Sequence, residues 1–150
     1  MPDTAQAMNS WRVPLPHTSA AVSIARKVIR AALLHPAAHA SQSRQALVDH
    51  DVAELLTAEL VTNAVEHTTA QAPLELSMEV QHSECRVEVR DHGAAHVEEL
   101  ATYTTPRSKP DQLSESGRGL LLVRELSSST GCSPQEGGKS VWFTLSSRQS

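Results

Sequence analysis

Apolar and polar residues alternate along Leu74-Glu-Leu-Ser-Met-Glu-Val80 and again along Cys85-Arg-Val-Glu-Val-Arg-Asp91. A period of two sends every second side chain to one face, so both segments predict half-buried strands. The polar stretch Gln81 to Glu84 between them predicts a hairpin. Lys139-Ser-Val-Trp-Phe-Thr-Leu145 predicts a further strand after the turn at Gly137-Gly138. Trp11-Arg-Val-Pro-Leu-Pro16 predicts a short edge strand, a place where proline is tolerated. Val22, Ile24, Ala25, Val28, Ile29 and Ala32 recur near helical spacing, which predicts a helix from Ser19 to Leu34, ended by His35-Pro36. The longest helical pattern runs from Gln45 to about His67, with a loop from Thr68 to Pro73. A short apolar helix is predicted from Gly119 to Leu126. Residues 93 to 116 show neither period, and a loop of that length is functional or disordered. Mixed helices and strands, with neighbouring strands in a hairpin, predict an α+β fold with helices layered on one face of a sheet.

Three polar interruptions of this pattern are candidates for chemistry. In the long helix Val48, Val52, Leu55 and Leu56 form one stripe, which continues into Glu59, Asn63 and Glu66. One reading is that this end of the helix emerges into solvent or that the stripe drifts onto Leu60 and Ala64; the second is that it faces a polar cavity. In the second case Glu59 and Asn63, neighbours at i and i+4, can orient a water and hold Mg²⁺, a cation that prefers oxygen ligands. Asp91 continues the inward parity of Cys85, Val87 and Val89. It either caps its own turn or accepts a hydrogen bond from a ligand such as an exocyclic amine. Ser116-Gly117-Arg118-Gly119 precedes an apolar run. It is either an ordinary helix entry or a place where backbone amides meet an anion.

Composition narrows the classes. The chain has 150 residues, the size of one domain, and a formal charge of -4 with no Lys/Arg run, which excludes a dedicated nucleic-acid binder. Its aromatic residues are Trp11, Tyr103, Trp142 and Phe143, so the core must be aliphatic. Cys85 and Cys132 have no zinc spacing and read as buried thiols; the eight His form no ligand cluster. No run is apolar enough for a membrane span, and the expectation is a soluble, cytoplasmic protein. Met1 to Ser10 is expected to be disordered, 11–146 to form the domain, and 147–150 to be a tail.

The order of the motifs is more specific than any one of them. Glu59-Leu-Val-Thr-Asn63-Ala-Val-Glu-His67 resembles the N box of the GHKL ATPase superfamily (gyrase, Hsp90, histidine kinase, MutL). Val87-Glu-Val-Arg-Asp91-His-Gly93 resembles its first glycine box, and Gly117-Arg-Gly-Leu-Leu-Leu-Val123 its second. Gly138-Lys-Ser-Val-Trp-Phe143 is similar to its closing strand. The likeness runs from about Val13 to Leu145. Within the superfamily the chain looks like stand-alone anti-sigma-factor serine/threonine kinases of the RsbW and SpoIIAB type.

That resemblance implies a Bergerat fold: a two-layer sandwich of helices on one face of a mixed, mostly antiparallel sheet, with ATP between helices and a lid at 94–116. It implies that Asn63 holds Mg²⁺ and that Glu59 is the general base toward a partner's hydroxyl. Asp91 would accept the adenine amine beside Gly93. Gly117, Arg118, Gly119 and Leu120 would lie along the phosphates, and His67 and Ser140 would complete the nucleotide site. The implied partners are a STAS-type anti-sigma-factor antagonist and a sigma factor, with a homodimer left open. Two positions depart from the pattern. Ala94, Ala95 and His96 follow Gly93 where relatives often carry a further glycine, and Glu115 stands where some carry an arginine for the γ-phosphate.

Overall fold

The computed structural model describes residues 10–34, 48–67, 72–81, 84–92, 115–135 and 137–146; for residues 67, 81, 115–120 and 135 it describes the backbone alone. The elements are β1 (Ser10–Leu15), α1 (Ala20–Leu34), α2 (His50–His67), β2 (Leu74–Gln81), β3 (Glu84–Asp91), α3 (Glu115–Leu126), β4 (Ser129–Gln135) and β5 (Gly138–Ser146). The strands form one sheet in the order β1-β2-β3-β5-β4. Each of its four described pairings is antiparallel. The fold is α+β, with the helices on one face.

Alternation decides that face. Leu74, Leu76, Met78 and Val80 on β2, and Cys85, Val87 and Val89 on β3, are all buried. Register aligns them with Val141, Phe143 and Leu145 on β5, since Val87 pairs with Phe143 and Val89 with Val141. Leu15 and Val13 continue the row on β1 opposite Leu74 and Leu76. Helix α1 contributes Ala21, Ala25, Ile29 and Leu33, and α2 contributes Ala53, Leu56, Leu60, Val61 and Ala64. The opposite face carries Glu75, Glu79, Arg86, Glu88 and Arg90. There the Arg86 guanidinium sits 4.2 Å from the centre of the Trp142 ring.

Local chemistry moves two helix starts from their expected places. The Val52 amide donates to Asp49 Oδ1 at 3.1 Å, so Asp49 caps α2 and the helix begins at His50 rather than Gln45. The Ala20 amide donates to Thr18 Oγ1 at 3.2 Å and starts α1 in the same way. Helix α3 begins at Glu115, before the expected Gly119, so both glycines of the second box lie inside it. Leu55, expected in the core stripe, is 38% exposed. Helix α2 packs against α1, α3 and the sheet at once, so its buried surface is wide and centred on Leu56 and Leu60.

Strand β4 has no counterpart in the sequence reading. Its sequence, Ser-Thr-Gly-Cys-Ser-Pro-Gln, is poor in strand-forming residues. It exists as the partner of β5. Gly131 pairs with Trp142, and a Cβ there would come 2.5 Å from the Trp142 ring. The edge position tolerates Pro134. Among the described residues no helix is long and apolar enough to cross a membrane.

Phe143 is fully buried at the centre of the apolar layer. Phe143→Ala is expected to lower unfolding free energy by about 3–5 kcal/mol in urea titration, and Leu55→Ala by far less. Burial foremost, then the Glu84 charge, pushes the Cys85 thiol up to about 12. At pH 8 Cys85 therefore stays protonated in the fold. A thiol reagent is expected to label the partly exposed Cys132 long before Cys85.

Candidate functional site

Helix α2 divides by chemistry. Near its start Glu54 is buried and bridges to α1: Arg30 Nε lies 2.5 Å from one carboxylate oxygen, and Arg26 lies 3.9 Å from the other. The Glu54 hydrogen bond, followed by its charge, raises the Arg30 pKa. This pairing ties the two helices together and leaves the second half of α2 to carry the expected polar groups.

There Asn63 is 3% exposed. Its Nδ2 donates to the Glu59 carbonyl at 3.2 Å, one helical turn back. That bond engages the amide nitrogen and leaves Oδ1 as the acceptor of the amide, with no hydrogen bond to a described residue. Glu59 is half-buried. Its carboxyl is raised above its ordinary value, by desolvation first and the Glu66 charge second. A carboxylate raised in this way is a better proton acceptor at neutral pH. The bond runs to the Glu59 backbone one turn back and does not engage the Glu59 carboxyl group. Glu66 is exposed, and the side chain of His67, the last residue of α2, lies outside the described residues.

Strand β3 delivers Asp91 to the covered face, 2% exposed. Its carboxylate has a counter-ion that the sequence reading missed. Lys139 Nζ lies 3.0 Å from Asp91 Oδ2, and both side chains are 3% exposed. The two residues are direct partners across the β3–β5 pairing. Gly138, next in the chain, makes this approach possible, because a Cβ there would collide with the Asp91 carbonyl. The signal was present: Lys139 shares the odd parity of Val141, Phe143 and Leu145, which places it on the core face.

Ser140, by the same parity, is on the other face. Its hydroxyl donates to the Glu88 carboxylate, away from Asp91. The structure therefore does not bring Ser140 together with Asp91, and Lys139 occupies the place expected of it. Gly93 and the lid expected at 94–116 lie outside the described residues up to residue 114. Gly117, Arg118, Gly119 and Leu120 fall in the first half of α3, which packs against α2. The first-turn amides of a helix have no partner within it and attract anions. Helix α2 also packs against β3 and β5, so the helix bearing Glu59 and Asn63 touches both the strands bearing Asp91 and Lys139 and the helix bearing the glycine pair.

The donor set fits Mg-ATP in kind. Among the described residues no group of three or more His, Cys, Asp or Glu is placed to hold a metal. Mg²⁺ needs no such cage, since it keeps waters and substrate phosphates and takes one or two protein oxygens. The untaken amide oxygen of buried Asn63 is a ligand of that type.

Comparison with known proteins gives the family and agrees with the fold. The model of the histidine kinase-like ATPase domain matches residues 15–145. The RsbU and RsbW domains of Rv1364c from Mycobacterium tuberculosis are similar in structure, with a TM-score of 0.62 at 19% identity. That match covers 92% of this chain and 32% of the other, so the chain spans about a third of that protein's length. The histidine kinase domain of the blue-light activated histidine kinase EL346 from Erythrobacter litoralis is similar with a TM-score of 0.51 at 18% identity. It is matched over 87% of this chain and 61% of its own. At these identities the likeness is one of fold. No curated protein matches the chain in sequence.

Removing one partner of a buried ion pair strands the other charge. Lys139→Met is expected to lower stability by about 3–5 kcal/mol in urea titration. The double variant Asp91→Asn with Lys139→Met is expected to lose clearly less than the sum of the two single losses.

Proposed function

The chain belongs to the histidine kinase-like ATPase domain family, and from that membership we propose that it binds ATP with Mg²⁺ and phosphorylates a partner protein. The partner is an anti-sigma-factor antagonist of the STAS type, modified on a serine or threonine. Holding and releasing a sigma factor is the regulatory output. The likeness to a structure containing an RsbW domain supports this direction.

The observation that carries the reading is the fixed amide of Asn63 one turn from Glu59. Asn63 Oδ1 would hold Mg²⁺ at the phosphates. Glu59 would take the proton of the incoming hydroxyl, and its raised pKa suits it to that role. Asp91 would accept the adenine amine, and the first turn of α3 would meet the phosphates. ATP supplies the phosphoryl group, and Mg²⁺ offsets the negative charge around it. His67, Gly93 and Arg118 keep their places in the motif, and the action of the site is cytoplasmic in this reading.

One observation favours a second reading, a nucleotide-gated switch without transfer. Glu115, an acidic residue, is the first residue of α3, the helix whose start would meet the phosphates. Its repulsion weakens the γ-phosphate subsite more than the base subsite.

Two measurements separate these readings. Calorimetry is expected to show Mg-ATP binding that Asn63→Ala weakens at least about tenfold, a loss of about 1.4 kcal/mol. Labelled ATP is expected to transfer phosphate to the cognate antagonist. Glu59→Gln should retain nucleotide binding but lose transfer by about 10²-fold or more. A base works only when deprotonated, so transfer should rise with pH through the raised Glu59 pKa and fail below it. ATP binding without any labelled partner would leave the switch standing and remove the kinase.

A further inference from the structure

Glu59 does not stand alone on its side of α2. Leu55, Glu59, Thr62 and Glu66 follow one another at spacings of four, three and four residues, so their side chains form a single strip along the helix. Leu55 and Glu66 are exposed, and Glu59 and Thr62 are half-buried. The flanks of the strip are closed. Leu56 and Asn63 are buried on one side of it, and Glu54 and Ala58 on the other.

A general base must come within about 2.6–3.2 Å of the group whose proton it takes. The open strip is the side from which a hydroxyl on a protein chain reaches Glu59. The residues around that hydroxyl then pass over Leu55 in one direction and over Thr62 and Glu66 in the other. In the transfer the hydroxyl gives its proton to the Glu59 carboxylate, its oxygen bonds to the γ-phosphorus, and ADP leaves.

The helix sets the spacing. Leu55 lies one turn before Glu59, about 6 Å along the axis, and Glu66 lies two turns after it, about 10 Å, at about 1.5 Å per residue. An extended chain advances about 3.3 Å per residue, so these lengths correspond to about two residues on one side of the acceptor and about three on the other. Leu55 offers apolar surface. Glu66 adds a negative charge that acts on Glu59 itself. A basic side chain brought to that end of the strip meets an opposite charge, and an acidic one is repelled.

Resting on the kinase reading above, we propose that Leu55 and Glu66 are specificity-determining residues for the phospho-acceptor. The strip takes an extended segment whose serine or threonine lies between an apolar residue about two positions to one side and a lysine or arginine about three positions to the other.

The test is transfer of labelled phosphate from Mg-ATP to two synthetic peptides, each flanked by glycines: Leu-Ala-Ser-Ala-Ala-Arg and its reversal, Arg-Ala-Ala-Ser-Ala-Leu. Matched peptides carry Glu in place of Arg, or Ala in place of Leu. The unaltered chain is expected to label at least one order, with kcat/KM for the Arg peptide about tenfold or more above that for the Glu peptide. Glu66→Lys should reverse that preference. Leu55→Ser should abolish a preference for the Leu peptide over its Ala counterpart that is about fivefold in the unaltered chain. A ratio between two peptides on one chain cancels any change in Glu59 or in the folded fraction, and a thermal melt shows which variants are folded. An Arg-to-Glu ratio near one in the unaltered chain, or one unchanged by Glu66→Lys, overturns the proposal while leaving transfer intact. A Leu preference unchanged in Leu55→Ser removes Leu55 from it. Labelling of the antagonist protein without labelling of any peptide also overturns the proposal and leaves the kinase reading standing. Labelling of neither overturns both.

Discussion

The antiparallel pairing of β3 with β5 is the constraint on which the rest of the molecule depends. Its register stacks Cys85 on Leu145, Val87 on Phe143 and Val89 on Val141, which makes the apolar floor beneath α2. The same register, carried one step further, sets Asp91 on Lys139 at the end of the floor. A slip by one residue would turn both rows over to the outer face. Core and candidate site are therefore one structural decision. The edge follows from it too, because β4 exists by pairing with β5 and its Gly131 makes room for Trp142.

Helix α2 converts this platform into a site. Glu54 fixes its first half to Arg26 and Arg30 of α1. Leu56, Leu60 and Ala64 bury its underside. Asn63 is then held by its own helix at a near-buried position, and Glu59 is partly desolvated beside it. An amide oxygen, a carboxyl group raised above its ordinary pKa and a helix start in α3 are the groups that the proposed binding of Mg-ATP and transfer from it would use. Membership of the histidine kinase-like ATPase family gives that combination its meaning.

Much of this was legible in the sequence, for identifiable reasons. Strands β2 and β3 alternate cleanly because one face is buried and the other is partly exposed. Asp91 could be assigned inward by counting parity. Asn63 and Glu59 stood out as polar residues on an otherwise apolar stripe. What could not be read depended on partners distant in sequence. Strand β4 lacks propensity of its own. Leu55 was misplaced because one stripe does not describe a helix with three packed sides. Lys139 was legible in principle, since its parity is that of Phe143. It was passed over because Ser140 was the better match to the motif. The start of α3 at Glu115 could not be seen through glycines that usually weaken helices.

The central claim is that the second half of α2, the end of β3, the start of β5 and the start of α3 form one nucleotide site. Titrating the isotopically labelled chain with Mg-ATP while following backbone amide shifts tests it most directly. The account predicts that the largest shifts fall at Asn63, Asp91, Lys139 and the first turn of α3, with Arg86, Glu88 and Trp142 on the outer face unmoved. Shifts confined to the outer face, or none at saturating Mg-ATP, would contradict it.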